Sequence, residues 1–237
     1  MLFCQVSSAG QSHFYESPQK KSPVVLFVHG GALVNGHAYQ YNELAKTFNS
    51  HGLCLKIVEY RLAPNVKHPA PVEDLDQELM QTLNYQSKNC DMSRVFLMGH
   101  SAGAHMIAFW STEHSLTQIK GFIGLEGIYD LPNLAETWPS YPEQFLNSAF
   151  GPQSLWAKAS PQRRAMKSHA PWLIIHSRQD ELVDLKQSKD FKDHLLQQKI
   201  NVKFSEVASY SHFEVVKNLS VKNDSIFKMT LQFIRSK

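Results

Sequence analysis

The sequence predicts a single α/β domain, spanning residues 1–237, with a mostly parallel central sheet, helices on both faces and a short helical cap over one end. Three observations predict it. Strand-like runs alternate with helical patterns along the whole chain. Those runs are continuously apolar, as strands buried on both faces are. One stretch, residues 131–169, loses its periodicity among Pro132, Pro139, Pro142, Pro152 and Pro161 and reads as a cap-like insertion of short helices.

The elements follow in order. Pro23 precedes Val24-Val25-Leu26-Phe27-Val28, an apolar, β-branched strand. Tyr39 to Ser50 is helical in pattern and stops near Gly52, and Leu53 to Tyr60 is a second strand. Pro71 opens a helix with Glu73, Asp74 and Asp76 in its early turns, where acidic side chains complement exposed amides. Leu75, Leu79 and Leu83 keep that helix's apolar spacing. A third strand covers Val95 to Met98, a helix runs from about Ala102 to Trp110, and a fourth strand covers Ile119 to Leu125. Beyond the insertion come a strand at Trp172 to Ile175, a helix at Lys186 to Gln198, a strand at Val202 to Val207, and a last helix from about Val221 to Ile234.

Composition narrows the function classes. A hydrophobic content of 43% supports a buried sheet, and a net charge of +3 spread along the chain gives no basic stripe for nucleic acid or a membrane surface. No apolar run is long enough to span a bilayer. Cys4, Cys54 and Cys90 are odd in number and lack metal-ligand spacing. With no basic flank and long apolar run at the start, and no final leucine after Arg235-Ser236-Lys237 for a peroxisomal address, the expectation is a reducing, cytoplasmic setting.

The chemistry concentrates at three places. Gly99-His100-Ser101-Ala102-Gly103 fits G-x-S-x-G between a buried strand and a helix, the setting in which a tight turn lifts a serine hydroxyl to the carboxyl end of a sheet. A glycine-bounded turn with a capping serine is the plainer alternative, and the partners named next argue against it. His29-Gly30-Gly31-Ala32 follows the first buried strand. A backbone N–H of Gly30 or Gly31, with that of Ala102, can meet the negative charge that builds on an attacked carbonyl oxygen. Serine needs a base and the base an orienting acid, in the chain order Ser, acid, His. Asp180 lies soonest after its strand, with Glu181 and Asp184 as rivals. His212 sits in a loop before the last helix, unlike His194, which lies in a helical stretch. The catalytic set expected is therefore Ser101, Asp180 and His212. His29, His100 and His105 lack the spacing of a metal site. An ion pair of Glu59 or a neighbouring carboxylate with Arg61 is expected to brace the loops near the oxyanion site.

Together these segments resemble the α/β-hydrolase superfamily, in particular its hormone-sensitive-lipase-like esterases, with their His-Gly-Gly loop, Tyr-Arg-Leu-Ala-Pro run and acidic helix start. A closer resemblance is to the fungal-type kynurenine formamidases (arylformamidases). It is carried by His29-Gly30-Gly31-Ala32, Glu59-Tyr60-Arg61-Leu62, Gly99-His100-Ser101, Gly127-Ile128-Tyr129-Asp130-Leu131, Ser140-Tyr141-Pro142-Glu143 and His176-Ser177 with Asp180-Glu181-Leu182, over roughly residues 24 to 216. The resemblance implies hydrolysis of N-formyl-L-kynurenine without metal or organic cofactor, by a protein whose partner is its small-molecule substrate, as a monomer or homodimer. A carboxylesterase with the same triad shares every catalytic part, and a non-catalytic binding protein on the same fold is the reading from another class. The sequence departs from the formamidase pattern His-Gly-Gly-x-Trp at Leu33. Leu33 and Tyr129 are expected as apolar and aromatic walls for the substrate.

Overall fold

The computed structural model describes residues 10–237. Cys4 and the start of the chain, on which the reading of a missing leader rests, lie outside the described residues.

Seven strands make one sheet in the order β1-β3-β2-β4-β5-β6-β7: β1 (His13–Tyr15), β2 (Ser22–Val28), β3 (Cys54–Val58), β4 (Cys90–His100), β5 (Ile119–Leu125), β6 (Trp172–Ser177) and β7 (Val202–Val207). Every neighbouring pair is parallel except β1, which runs antiparallel to β3 with His13 opposite Ile57. At three residues β1 is too short to show a period, and sequence reasoning did not find it. β4 starts at Cys90, earlier than the apolar run at Val95 predicts; its first half is only partly buried and so carries polar residues.

Both faces of the sheet are covered. Along β2, Val24, Leu26 and Val28 point into one core layer, where Leu75 and Leu79 of α2 (Ala70–Leu83) and Met106 of α3 (Ala102–Glu113) pack. Phe191 of α7 (Leu185–Gln197) joins the same layer. Val25 and Phe27 point into the other, against Phe48 of α1 (Asn42–Ser50) and Phe227 of α9 (Ser225–Arg235). Val24 to Val28 are fully buried, which is why the strand reads as an unbroken apolar run. Each such side chain contributes roughly 1.5–3 kcal/mol relative to exposure.

Residues 131–169 form short helices, α4 (Leu131–Thr137), α5 (Asn147–Phe150) and α6 (Trp156–Ala159), with a π-helical turn at Pro142–Leu146. Asp130 caps α4 by accepting from the Asn133 N–H at 3.2 Å and pairs with Arg163 at 2.8 Å. Gln187 of α7 accepts from the N–H groups of Tyr129 and Asp130, each at 2.8 Å, pinning the entry to the insertion.

Three expectations need correction. His212 is the first residue of a short helix, α8 (His212–Lys217), rather than part of a loop; Ser211 and Glu214 form its capping box. Arg61 pairs with Asp74 on α2 at 2.7 Å, whereas Glu59 accepts from the Ala38 N–H and contacts His37 at 2.9 Å. Glu59 thus braces the turn before α1, and Arg61 the start of α2. Finally, Cys54 and Cys90 form a disulfide. They meet because β3 and β4 both flank β2, a proximity their separation of 36 residues does not reveal. Such bridges belong to oxidising surroundings, so the cysteine count loses its force as a sign of a reducing compartment.

No helix among the described residues is long and apolar enough to cross a membrane.

Candidate active site

Parallel strands deliver their following loops to one edge, where open α/β sheets bind ligands. The segments after β2, β4, β5 and β6 carry His29, Ser101, Glu126 and Asp180, and the segment after β7 leads into α8, which opens on His212.

β4 ends at His100 and α3 begins at Ala102, so Ser101 alone makes the turn, at φ 53° and ψ −118°. This is a sparsely populated conformation for a residue with a side chain, held by its surroundings. The flanking glycines make it possible. A Cβ on Gly99 would lie 2.3 Å from the Gly103 carbonyl oxygen, and one on Gly103 would lie 2.1 Å from that of Val28. Strand and helix therefore touch backbone to backbone, and the Ser101 N–H donates to the Leu125 carbonyl at 2.8 Å.

The His212 ring donates from Nδ1 to Oδ2 of Asp180 at 2.8 Å. Oδ1 of Asp180 accepts from the N–H groups of Leu182 and Val183 at 2.8 and 2.9 Å, fixing the carboxylate. Burial alone pushes the Asp180 carboxyl up, but contacts with His176, His212 and Glu126 outweigh it and hold the group well below the usual carboxylate range. Of the rival acids, Glu181 accepts from the His212 backbone N–H at 3.1 Å and Asp184 precedes α7, so Asp180 is the carboxylate at the ring. Ser101 and His212 line one cleft of about 140 Å³. Among the described residues no hydrogen bond joins the Ser101 hydroxyl to the ring, although both side chains face the same cleft.

On the other side of the serine, Gly31 adopts φ 120°, and a Cβ there would strike the Asn35 carbonyl oxygen at 1.9 Å. The turn is closed by the Val34 and Asn35 N–H groups donating to the Gly31 carbonyl at 3.0 and 2.9 Å. His29, stacked on Tyr60 at 4.3 Å, donates from Nδ1 to the Gly30 carbonyl at 2.7 Å. Gly31 lines the Ser101 cleft, and Ala102 begins α3, whose first amides have no partner within the helix.

The wall residues expected from sequence lie elsewhere. Leu33, at φ 61°, turns into the same core layer as Tyr60 and Ala63, and Tyr129 is fully buried with its ring 4.0 Å from that of Phe191. Ile128, Tyr141, Phe145, Leu182, Val183 and Phe213 line the cleft instead. Leu33 therefore belongs to the core packing and does not line the cleft.

Sequence reasoning also missed three buried residues. His100 donates from Nε2 to the His212 carbonyl at 2.9 Å; burial and the neighbouring His212 lower its pKa to about 3, so it stays neutral. His176 lies beneath Asp180, its Nε2 3.4 Å from Oδ2. Glu126 is fully buried beside both. A carboxylate ending an otherwise apolar strand, as in Gly124-Leu125-Glu126-Gly127, is the signal that could have found it.

A nucleophile turn after one strand of a parallel sheet, with acid and histidine following later strands in that order, defines the α/β-hydrolases, and the chain is one of these hydrolytic enzymes. More particularly, it belongs to the BD-FAE family, whose model matches residues 13–195. The chain is 32% identical over 192 residues to a kynurenine formamidase of Meyerozyma guilliermondii, covering 72% of this chain and 70% of that protein. It is 25% identical over 226 residues to a probable isoprenylcysteine alpha-carbonyl methylesterase of Oryza sativa subsp. japonica, covering 84% of this chain and 53% of that protein. Among solved structures, the Francisella virulence factor BioJ superposes with a TM-score of 0.75 at 22% identity, covering 94% of this chain and 80% of that one.

Proposed function

We propose that the protein is a serine hydrolase that converts N-formyl-L-kynurenine to L-kynurenine and formate. The observation that carries this reading is the 32% identity to the Meyerozyma guilliermondii kynurenine formamidase over 72% of this chain, and it is supported by the contact of Asp180 with the His212 ring and by the glycine loop beside Ser101. Ser101 Oγ attacks the formyl carbon while His212 Nε2 takes its proton, with Asp180 fixing the imidazole. The oxyanion rests on N–H groups of Gly30 or Gly31 and Ala102. His212 returns the proton to the departing arylamine nitrogen, and water, activated by the same imidazole, releases formate from the formyl-enzyme.

The cavities favour a small acyl group and a large leaving group. The 140 Å³ cleft at Ser101 meets a second cavity of about 720 Å³ at two shared residues, Gly31 and Phe213. That larger cavity lies between the glycine loop and α8, with Gly30, Gly31 and Gln40 on one side and Phe213, Val216 and Lys217 on the other. With the formyl carbon at Ser101 in the smaller cleft, the larger cavity has the room for the kynurenine leaving group. Gln40, Glu43 and Lys217 line it and offer both signs of charge to an α-amino acid group.

The second reading is a carboxylesterase, which the likeness to the rice methylesterase favours. Specificity constants for N-formyl-L-kynurenine and a short-chain nitrophenyl ester, measured on one preparation, decide between them. The formamidase reading expects the formamide to be preferred; an ester preference of orders of magnitude overturns it.

A further inference from the structure

Glu126 follows β5 with its backbone at φ 50°, a conformation rare outside glycine, held by its N–H donating to the Ile175 carbonyl at 3.1 Å. The side chain is fully buried. Oε1 accepts from the Ser177 N–H at 2.9 Å. Among the described residues Oε2 has no hydrogen-bond partner, although the His176 Nε2 is 3.0 Å away. That nitrogen is already committed: it donates to the Val183 carbonyl at 3.0 Å, while Nδ1 accepts from the Ser188 hydroxyl at 2.7 Å. Ligand-type oxygens of Glu126 and Asp180 and a ring nitrogen of His176 all lie within 4.8 Å of one another. Two carboxyl groups so placed, with one oxygen unmatched and water excluded, cannot both be ionised cheaply. Asp180 is the one with donors on both oxygens, so the proton belongs to Glu126.

We propose that Glu126 is a positioning residue that acts as a neutral carboxylic acid, donating a hydrogen bond from Oε2 to the Asp180 carboxylate and holding it for the His212 ring. The proposal rests on the reading of Asp180 and His212 as acid and base, whatever the substrate. Burial first, and then the Asp180 carboxylate, push the Glu126 pKa up to about 11, which agrees with this state. The groups facing Glu126 are His176 on β6, Asp180 and Glu181 beyond it, and Tyr129 on its own segment, with His212 and His100 behind Asp180. Tyr129 stays neutral because burial raises its hydroxyl, and His100 is neutral as above. Asp180 therefore carries the charge next to Glu126.

The test compares pH–rate profiles of wild type, Glu126→Gln and Glu126→Ala on one hydrolysable substrate, a nitrophenyl ester sufficing. Glutamine keeps an acceptor for Ser177 and a donor for Asp180. The Gln variant should retain kcat within about threefold and leave the acid limb of the profile in place, because it replaces a group already neutral. The Ala variant should lose up to about 100-fold in kcat, as misplacement of a catalytic group does, with KM little changed. If Glu126 were ionised, removing its charge in the Gln variant would move the acid limb to lower pH, and that result overturns the proposal. So does an Ala variant as active as wild type.

Two further measurements do not depend on activity. The infrared spectrum at neutral pH should show a carboxylic-acid carbonyl band that the Gln variant lacks; its absence in wild type contradicts a protonated Glu126. Stability gives the other. The folded chain holds a proton that the unfolded chain gives up above about 4.5, so this group's contribution falls as pH rises from there towards about 11. Urea midpoints of the Gln variant should decline less over that range than those of wild type, and equal slopes count against the proposal. Loss of activity in Asp180→Asn tests the underlying acid–base reading separately.

Discussion

On the proposed reading, Asp180 works through the geometry that surrounds it. One oxygen is held by two backbone amides and the other by the His212 ring, so the imidazole is fixed with Nδ1 protonated and Nε2 free to accept from a serine. Asp180→Asn offers an amide in place of that acceptor and favours the wrong tautomer. It should lower kcat by about 10⁴-fold while the protein still folds. Glu181 accepts from the His212 backbone N–H, and a glutamine oxygen can take over that contact. Glu181→Gln should therefore stay within about tenfold of wild type. Steady-state kinetics of the pair check the assignment; equal damage in both, or damage only in the second, contradicts it.

At the scale of elements, the serine turn depends on β4 and α3 approaching without side chains between them. Gly103→Ala puts a methyl group 2.1 Å from the Val28 carbonyl oxygen, a backbone atom that cannot swing aside. It should cost roughly 1–3 kcal/mol of unfolding free energy, as overpacking does, read as a lower urea midpoint with unchanged slope. This part of the site was legible beforehand, because G-x-S-x-G between an apolar strand and a helix has a steric reason for each glycine. The meeting of Asp180 and His212 was legible for a related reason: each follows a strand of the parallel sheet, and chain order pairs them. What stayed hidden depends on long-range contact. β1 is short and defined only by its pairing with β3, α8 is a single capped segment, and the Cys54–Cys90 bridge and the Arg61–Asp74 pair join residues that the fold alone brings together. Leu33 and Tyr129 were misplaced because positive backbone angles in the glycine loop and stacking on Phe191 turn them inward, which no periodicity announces.

Across the whole molecule, one edge of the sheet gathers the glycine loop, the serine turn, the buried carboxyl pair and the histidine helix. The insertion closes over them, with Tyr141 donating to the Leu182 carbonyl at 2.8 Å beside Asp180. The disulfide ties the starts of β3 and β4 at the opposite end, Cα to Cα at 6.0 Å, away from the chemistry. The small cleft at Ser101 and the larger cavity beside α8 meet at Gly31 and Phe213, and on the proposed reading the formyl group enters the first and the kynurenine part the second. The most direct measurement is the release of formate from N-formyl-L-kynurenine by purified protein, set beside that of Ser101→Ala. The account predicts one formate per kynurenine formed by the wild type and a loss of at least about 10⁴-fold in the folded variant. No formate from the wild type, or a variant that works as fast, would contradict it.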